Sequence, residues 1–212
     1  MAVAERRIRE KEARRNLILD AARDLFFAKG FEGTTIEEIA GSTELSKGTI
    51  YLYFPSKEEI YISLMLEGSK ILYGMLREAA APDLPADTLL RRLGQAYLRF
   101  YREYTGYFRM LFLYYSSASI HEKLTPELCE RCELQAKQSL QMVAGVIQQG
   151  IDQGLYRPCN PMDLAILTWS CLNGIILLGE RRHDEILQLN TSLERLHDLF
   201  LESMIISLKT GR

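Results

Sequence analysis

Apolar residues recur at intervals of three and four along nearly the whole chain, which is the spacing of one face of an α-helix. The six prolines, at positions 55, 82, 85, 126, 158 and 161, fall between these periodic segments or at their first residue. The alternation of apolar and polar residues that marks a half-buried strand is not the pattern of this sequence. The sequence therefore predicts an all-α fold. The predicted helices span about 6–29, 35–43, 45–53, 56–81, 87–104, 107–115, 126–153, 161–180 and 193–209.

Composition restricts the class of protein further. Hydrophobic residues make up 47% and charged residues 25% of the 212 positions, as in an average globular protein. Four cysteines are too few for a disulfide scaffold, and no basic start followed by an apolar stretch marks a secretion signal. The longest apolar run, Leu164 to Leu178, is shorter than a bilayer span and contains polar residues. We therefore expect a cytoplasmic protein with no membrane segment.

Charge is balanced over the chain but segregated locally. The formal net charge of −2 gives no general sign of a polyanionic partner, so any nucleic-acid site must be local. From Leu45 to Lys57 the chain has no acidic residue. Lys47 and Lys57 are basic there, and Tyr51 and Tyr53 carry hydroxyls that can reach phosphates. A site of this kind predicts a steep salt dependence, because each neutralised phosphate releases counterions.

Residues 34–57 combine two short helices and a tight turn. Residues 34–38 offer two overlapping capping boxes, Ser46 is the predicted N-cap of the second short helix, and Pro55 ends that helix. This is the outline of a helix-turn-helix, whose second helix enters the major groove of DNA. Its tip offers small or polar groups for bases and phosphates: Ser46, Lys47, Gly48 and Thr49. Helix starts at Thr35 and Lys57 add free N–H groups for phosphate.

Two segments carry a resemblance to a known family, namely FEGTTIEEIA at 31–40 and LSKGTIYLYFPSKEE at 45–59. They resemble the N-terminal domain of the TetR family of bacterial transcriptional regulators, over about residues 14–66. The resemblance implies a three-helix head that binds double-stranded operator DNA and a helical body that binds a small inducer and forms a homodimer. The operator contacts it implies are Thr35, Lys47, Gly48, Thr49, Tyr51, Tyr53 and Lys57.

The predicted domains are a helix-turn-helix DNA-binding domain at 1–59, with the motif at about 35–54, and a ligand-binding and dimerisation domain at 60–212. One position departs from the family pattern. The turn before the second helix commonly carries glycine, and this chain has Glu44 there. Either the turn is built differently or a strain of ~1 kcal/mol is absorbed. A carboxylate near phosphates would also narrow the operators that the protein tolerates.

The last two predicted helices carry apolar stripes that are too broad for one chain to cover. The helix at 161–180 has almost no polar face and is expected to be buried on every side. Pairing both helices across a two-fold axis would form a four-helix homodimer interface, as the resemblance also suggests. The predicted interface residues are Leu164, Leu167, Cys171, Ile175, Leu178, Leu196, Phe200 and Met204.

Aromatic residues cluster between positions 97 and 115. Such residues on helices usually belong to a core, but buried tyrosine hydroxyls need partners, so an amphipathic cavity is the alternative. The resemblance implies that a small, largely hydrophobic inducer binds there. The predicted ligand contacts are Tyr97, Tyr101, Tyr104, Phe108, Phe112 and Trp169.

Other functions have weaker support in the sequence. Cys129 and Cys132 lack enough neighbouring ligands for zinc, so we predict neither a metal site nor a cofactor. Paired carboxylates, a phosphate loop and a nucleophile motif are absent, and no catalytic residue is predicted. The basic stretch at 6–15 is interleaved with glutamates and is typical of a solvated helix face. We therefore predict a ligand-released repressor. The alternatives are a helical ligand-binding protein or enzyme without operator binding, and a helical adaptor.

Overall fold

The computed structural model describes residues 2–80, 84–112, 125–180 and 191–209. In these ranges the chain forms nine α-helices and no β-strand, which confirms the predicted all-α fold. The helices are α1 (Ala2–Lys29), α2 (Ile36–Ser42), α3 (Lys47–Tyr53), α4 (Lys57–Ala79), α5 (Ala86–Glu103), α6 (Thr105–Phe112), α7 (Pro126–Asp152), α8 (Pro161–Glu180) and α9 (Leu193–Leu208). Most bounds lie within two residues of the prediction; α1 begins four residues earlier, and residues 113–115 of the predicted sixth helix lie outside the described residues.

The contacts divide the chain into two compact units. Unit 1 comprises Met1–Lys70 with Tyr104–Gln135, and unit 2 comprises Ile71–Glu103 with Ala136–Arg212. Both α4 and α7 contribute residues to each unit. The predicted boundary between residues 59 and 60 does not coincide with this division, because Ile60 and Ile62 of α4 are fully buried within the core of unit 1.

The core of unit 1 holds the short helices in place. Every one of α1 to α4 contributes side chains that are fully buried there: Ile18, Ala22, Phe26, Ile39, Ile50, Ile60 and Tyr61. Burying an aliphatic side chain of this size contributes about 1.5–3 kcal/mol. The rings of Phe26 and Tyr61 meet edge to face at 5.2 Å, and the Tyr61 hydroxyl donates to the carbonyl oxygen of Met110 in α6 at 3.1 Å.

In unit 2, α9 packs against α5 and α8. The Nε2 atom of the buried His197 donates to the carbonyl oxygen of Gly94 at 2.9 Å, which fixes α9 against α5. The Thr168 hydroxyl of α8 lies 3.0 Å from the sulfur of Met204. Met204 is therefore buried within unit 2, and it is the one predicted interface residue that is buried in the single chain. One edge of the apolar stripe of α9 thus faces α8 and α5 of its own chain.

The turn between α2 and α3 contains a strained residue. Glu44 has a φ of 56°, the only positive φ among the described residues that are not glycine. The Leu45 N–H donates to the Ala40 carbonyl oxygen at 3.0 Å and the Glu44 N–H to that of Gly41 at 3.3 Å. These two bonds form a Schellman motif, in which the position of Glu44 favours glycine. Of the two alternatives that the sequence left open for this turn, the structure therefore shows the strained one, and these bonds offset the strain.

Replacing Glu44 by glycine should raise the free energy of unfolding by about 1 kcal/mol, because glycine adopts a positive φ without strain. Glu44→Gln is the matched control, since it removes the charge and keeps the Cβ atom. The control should leave the free energy of unfolding within about 0.5 kcal/mol of the original. Urea denaturation measures both variants. Equal stabilisation by the two would assign the effect to charge and contradict a strained turn.

Candidate DNA-binding surface

The tip of α3 presents polar groups to solvent. The Ser46 side chain caps the helix by accepting the Thr49 N–H at 3.1 Å, and the two hydroxyl oxygens lie 2.9 Å apart. Ser46, Lys47 and Gly48 are exposed and Thr49 is half-buried. A Cβ atom on Gly48 would meet only Ser46 Oγ, at 3.7 Å, so the surface in front of this helix is open. These four residues therefore form the exposed tip that a groove-reading helix requires.

The start of α2 is fixed by one capping box. The Thr35 hydroxyl accepts the Glu38 N–H at 3.2 Å, and Glu38 Oε2 accepts the Thr35 N–H at 3.0 Å. The second predicted box does not form, because Thr34 is buried and its hydroxyl donates to the carbonyl oxygen of Gly30 at 2.8 Å. Thr35 is exposed at the helix start, where it can meet a phosphate.

Acidic residues of α2 hold two lysines near this surface. Lys47 Nζ donates to Glu37 Oε1, which joins α3 to α2, and Lys29 Nζ lies 2.5 Å from Glu38 Oε1. The bond from Lys47 lowers the pKa of Glu37, and the same bond raises the pKa of Lys47. Both groups therefore stay charged at neutral pH. A phosphate that approaches Lys47 must compete with the Glu37 carboxylate.

Replacing Glu37 by glutamine should tighten binding to duplexes of any sequence by roughly two- to fivefold, since an exposed ion pair of this kind is weak. The change frees Lys47 for phosphate without altering the side chains that face the bases. Glu32→Gln is the matched control, because it removes the same charge from an exposed loop position. Fluorescence anisotropy with a random-sequence duplex measures both. Equal tightening by the two variants would show that Glu37 does not restrain Lys47.

Lys57 has a structural role that the sequence did not indicate. Its Nζ donates to the carbonyl oxygens of Phe31 at 2.8 Å and Thr34 at 2.9 Å, and it lies 4.2 Å from the centre of the Phe31 ring. Two of its three N–H donors thus hold the loop that precedes Thr35. The third donor and the backbone N–H at the start of α4 remain suited to a phosphate.

The two tyrosines of α3 differ in exposure. Tyr51 is exposed, whereas Tyr53 is half-buried and packs against the core of unit 1. Sequence reasoning missed a third residue on the outer face, Leu52, whose side chain is 81% exposed. Its place one helical turn after Gly48 is the signal that would have found it.

The basic start of α1 divides into a solvated part and a packed part. Residues 4–14 are exposed, and Arg6 pairs with Glu10 one turn later at 2.8 Å, as a solvated face predicts. Arg15 is different. It donates to Ser63 Oγ at 3.2 Å and lies 4.7 Å from the centre of the Phe54 ring. Arg15 therefore holds α1 against the end of α3.

The predicted interface residues lie on a partly covered apolar face of unit 2. Leu167 and Leu178 of α8 are exposed, and the other predicted residues apart from Met204 are half-buried: Leu164, Cys171, Ile175, Leu196 and Phe200. Within one chain α8 is buried only along Ala165, Thr168, Leu172 and Ile176. The rest of its apolar surface is left open by the single chain, so its expected burial on every side stays a prediction that requires a partner. In the described part of the chain, α8 is also the one helix long and apolar enough to cross a membrane.

The predicted ligand contacts are divided between the units. Tyr97, Tyr101 and Trp169 belong to unit 2, and Tyr104, Phe108 and Phe112 belong to unit 1. The buried Tyr97 hydroxyl donates to Asn173 Oδ1 at 2.6 Å and is also hydrogen-bonded to Trp169. Burial raises the pKa of Tyr97, so this hydroxyl stays neutral. In unit 1 the rings of Phe108 and Phe112 lie 4.8 Å apart.

A cavity of about 350 Å³ in unit 2 contains none of the predicted contacts. It lies between the second half of α4 and α5 and is lined by Met75, Glu78, Ala79, Arg92, Gln95, Ala96 and Arg99. Its two arginines lie two turns apart along α5. In the described ranges, no group of three His, Cys, Asp or Glu residues is placed to hold a metal ion. The side chain of Cys132 lies outside the described residues.

The capped tip of α3, the Schellman turn and the shared core define a helix-turn-helix DNA-binding protein. A family model for bacterial regulatory proteins of the tetR family matches residues 18–64, and one for the tetracyclin repressor-like C-terminal domain matches residues 90–203. The HTH-type transcriptional regulator RutR of Escherichia coli (strain K12) is 30% identical over 168 residues, which are 78% of this chain and 74% of RutR. The chain belongs to the TetR family of transcriptional regulators.

Solved structures support the same fold. The transcriptional regulator FadR from Bacillus subtilis, in complex with stearoyl-CoA, has a TM-score of 0.69 at 19% identity and covers 91% of this chain and 98% of its own. AibR, in complex with isovaleryl coenzyme A and operator DNA, has a TM-score of 0.66 at 20% identity and covers 90% of this chain and 97% of its own.

Proposed function

We propose that the protein is a cytoplasmic repressor that binds a pseudo-palindromic operator as a homodimer and is released by a small, largely hydrophobic inducer. One observation carries the DNA-binding part. The polar tip of α3 is exposed, while Ile50 of the same helix is fully buried in the core that holds it. A rigid helix with an open polar tip is suited to the major groove.

The proposed operator contacts are Thr35, Ser46, Lys47, Gly48, Thr49, Tyr51, Tyr53 and Lys57. Hydroxyls, an ammonium group and helix N–H groups position a protein on phosphates, and groups at the tip of α3 can reach base edges. The test is a mobility shift with DNA from around the protein's own gene, with and without candidate inducers. A sequence-selective complex that an inducer releases is expected. No such complex at any tested protein concentration would contradict the proposal.

Thr49 and Lys57 should separate base reading from general anchoring. Thr49→Ala should change the preference among operators, because its hydroxyl lies at the tip of α3. Lys57→Ala should weaken all duplexes alike, through loss of a phosphate donor and of the bonds that hold the loop before Thr35. The measurement is binding of both variants to a set of single-substitution duplexes. The same change in preference from both variants would contradict these roles.

The uncovered apolar face of α8 and α9 supports the homodimer. Leu167 and Leu178 of α8 and Leu199 and Ile206 of α9 are exposed, and large exposed apolar surfaces mark interaction sites. We propose a second copy as the partner, not a bilayer, because the opposite stripe of α8 packs on its own chain through Thr168. Two heads on a symmetric body would then read two half-sites.

The inducer is proposed to be amphipathic. Stearoyl-CoA and isovaleryl-CoA, the ligands of two structural neighbours, combine an apolar chain with phosphates. In unit 2, the Tyr97–Asn173–Trp169 group offers aromatic surface with hydrogen-bonding atoms, and Arg92 and Arg99 offer cationic groups at the cavity. We propose that Tyr97, Tyr101 and Trp169 of unit 2 include the apolar contacts; Tyr104, Phe108 and Phe112 belong to unit 1 and stay predictions from the sequence. Acyl-CoA thioesters are therefore the first compounds for a thermal-shift screen.

A further inference from the structure

Leu52 is the most exposed large hydrophobic side chain among the described residues. It is 81% exposed on α3, two positions after Ile50, which is 0% exposed. The core of unit 1 accounts for Ile50, Tyr53 and Phe54 but not for Leu52. The packing of unit 1 therefore does not explain why Leu52 is exposed.

The register of α3 places Leu52 on the surface that the polar tip also occupies. Side chains four residues apart share one face of a helix, so Leu52 lies on the face of Gly48, with Tyr51 beside it. A helical side chain leans toward the turn that precedes it, which here is the turn of Gly48. Gly48 has no side chain, and the space in front of it is open. An object that reaches the backbone of Gly48 would therefore meet the Leu52 side chain.

The chemistry of leucine selects among the groups that the major groove presents. Leucine has no hydrogen-bond donor or acceptor, so it cannot bind a phosphate or the polar edge of a base. Thymine is the one base whose major-groove edge carries a methyl group. The methyl group of thymine is therefore the one apolar group on an unmodified base edge that Leu52 can pack against.

We propose that Leu52 is a specificity-determining residue that reads a thymine in each half-site of the operator through its 5-methyl group. The inference rests on the proposed docking of α3 in the major groove and adds a base preference to it. Because the contact is apolar, it discriminates among bases and adds nothing to phosphate binding. A leucine here therefore raises the sequence preference without raising the affinity for random DNA.

The test removes the methyl group alone. A preferred duplex is first obtained by selection from randomised DNA with the full-length protein, and each thymine is then replaced in turn by uracil. Anisotropy titrations compare the original protein, Leu52→Ala, and Leu134→Ala as a matched control. Leu134 is an exposed leucine on α7, so its truncation removes the same atoms from another helix. Urea denaturation checks that all three proteins have the same stability.

The original protein and Leu134→Ala should each lose about fourfold in affinity at one thymine position per half-site, and about sixteenfold when both are replaced. The factor corresponds to the ~0.8 kcal/mol of one buried methyl group. Leu52→Ala should bind the thymine duplex more weakly and should show no further loss with uracil. Its affinity for random DNA should be unchanged.

Two results would overturn the inference while the proposed function stands. In the first, the original protein binds every uracil duplex as tightly as the thymine duplex. In the second, Leu52→Ala loses as much affinity as the original protein when the same thymine is replaced by uracil. A Leu52→Ala variant that binds DNA normally but changes its oligomeric state would also overturn it, because the exposed leucine would then serve a protein contact. If selection yields no preferred duplex, the proposed function itself fails, and the inference fails with it.

Discussion

Replacing Leu167 by glutamate is expected to convert the proposed homodimer into a monomer and to lower operator affinity by at least about a hundredfold. Leu167 is 56% exposed in the single chain and lies on the apolar face of α8. In a two-fold interface the substitution places two carboxylates in a desolvated region, where an unpaired charge is costly. Losing one of two linked heads removes an avidity of about 10²–10⁴.

The control for this variant is Leu134→Glu. Leu134 has almost the same exposure, 58%, but lies on α7 in unit 1 and outside the proposed interface. It should leave both the molar mass and the operator affinity unchanged. Light scattering and anisotropy measure the two quantities on the same samples. A Leu167→Glu protein that remains a dimer would place the interface elsewhere.

Replacing Ile50 by alanine is expected to lower the free energy of unfolding by about 2–5 kcal/mol. Ile50 is fully buried and is the residue through which α3 enters the core of unit 1. Truncating such a side chain removes its transfer free energy and leaves a cavity. Operator binding should fall with stability, because this core holds α3 in place.

Two further substitutions make the Ile50 experiment quantitative. Ile50→Val removes one methylene group and should lower the free energy of unfolding by about 0.5–1.5 kcal/mol. Leu52→Ala removes as many carbon atoms as Ile50→Ala, but from an exposed side chain. Its free energy of unfolding should therefore stay within about 0.5 kcal/mol of that of the original protein. Urea or thermal denaturation orders the three variants. A loss for Leu52→Ala as large as that for Ile50→Ala would contradict the register of α3.

The helices could be predicted because their signals are local. The caps at Thr35 and Ser46 and the prolines at 126 and 161 fix helix starts through neighbouring backbone groups. The resemblance over residues 31–59 then indicated which short helix reads DNA. Gly30, directly after α1, has a φ of 72°, and a glycine in this left-handed conformation is a local signal that ends a helix.

The features that were missed depend on distant contacts. The structural role of Lys57 was missed because the carbonyl oxygens that it holds lie 23 and 26 positions earlier, while its phosphate contact stays a prediction. The sequence did not separate Met204, which packs on its own chain, from the exposed part of α8, because a stripe of apolar residues does not say which part packs on its own chain. Glu44 differs from these residues, because the sequence did indicate its unusual position. The sequence identified the strain, but only the backbone bonds of residues 40–45 showed how the turn accommodates it.

The central claim is that α3 lies in the major groove of DNA, and the salt dependence of sequence-selective binding tests it most directly. Anisotropy titrations of the full-length protein compare a selected duplex with a scrambled one. For about six phosphate contacts in the dimer, affinity for the selected duplex should fall about a thousandfold between about 50 and 200 mM salt. Lys47→Ala should flatten this dependence. Equal affinity for both duplexes, or binding that salt does not weaken, would contradict the claim.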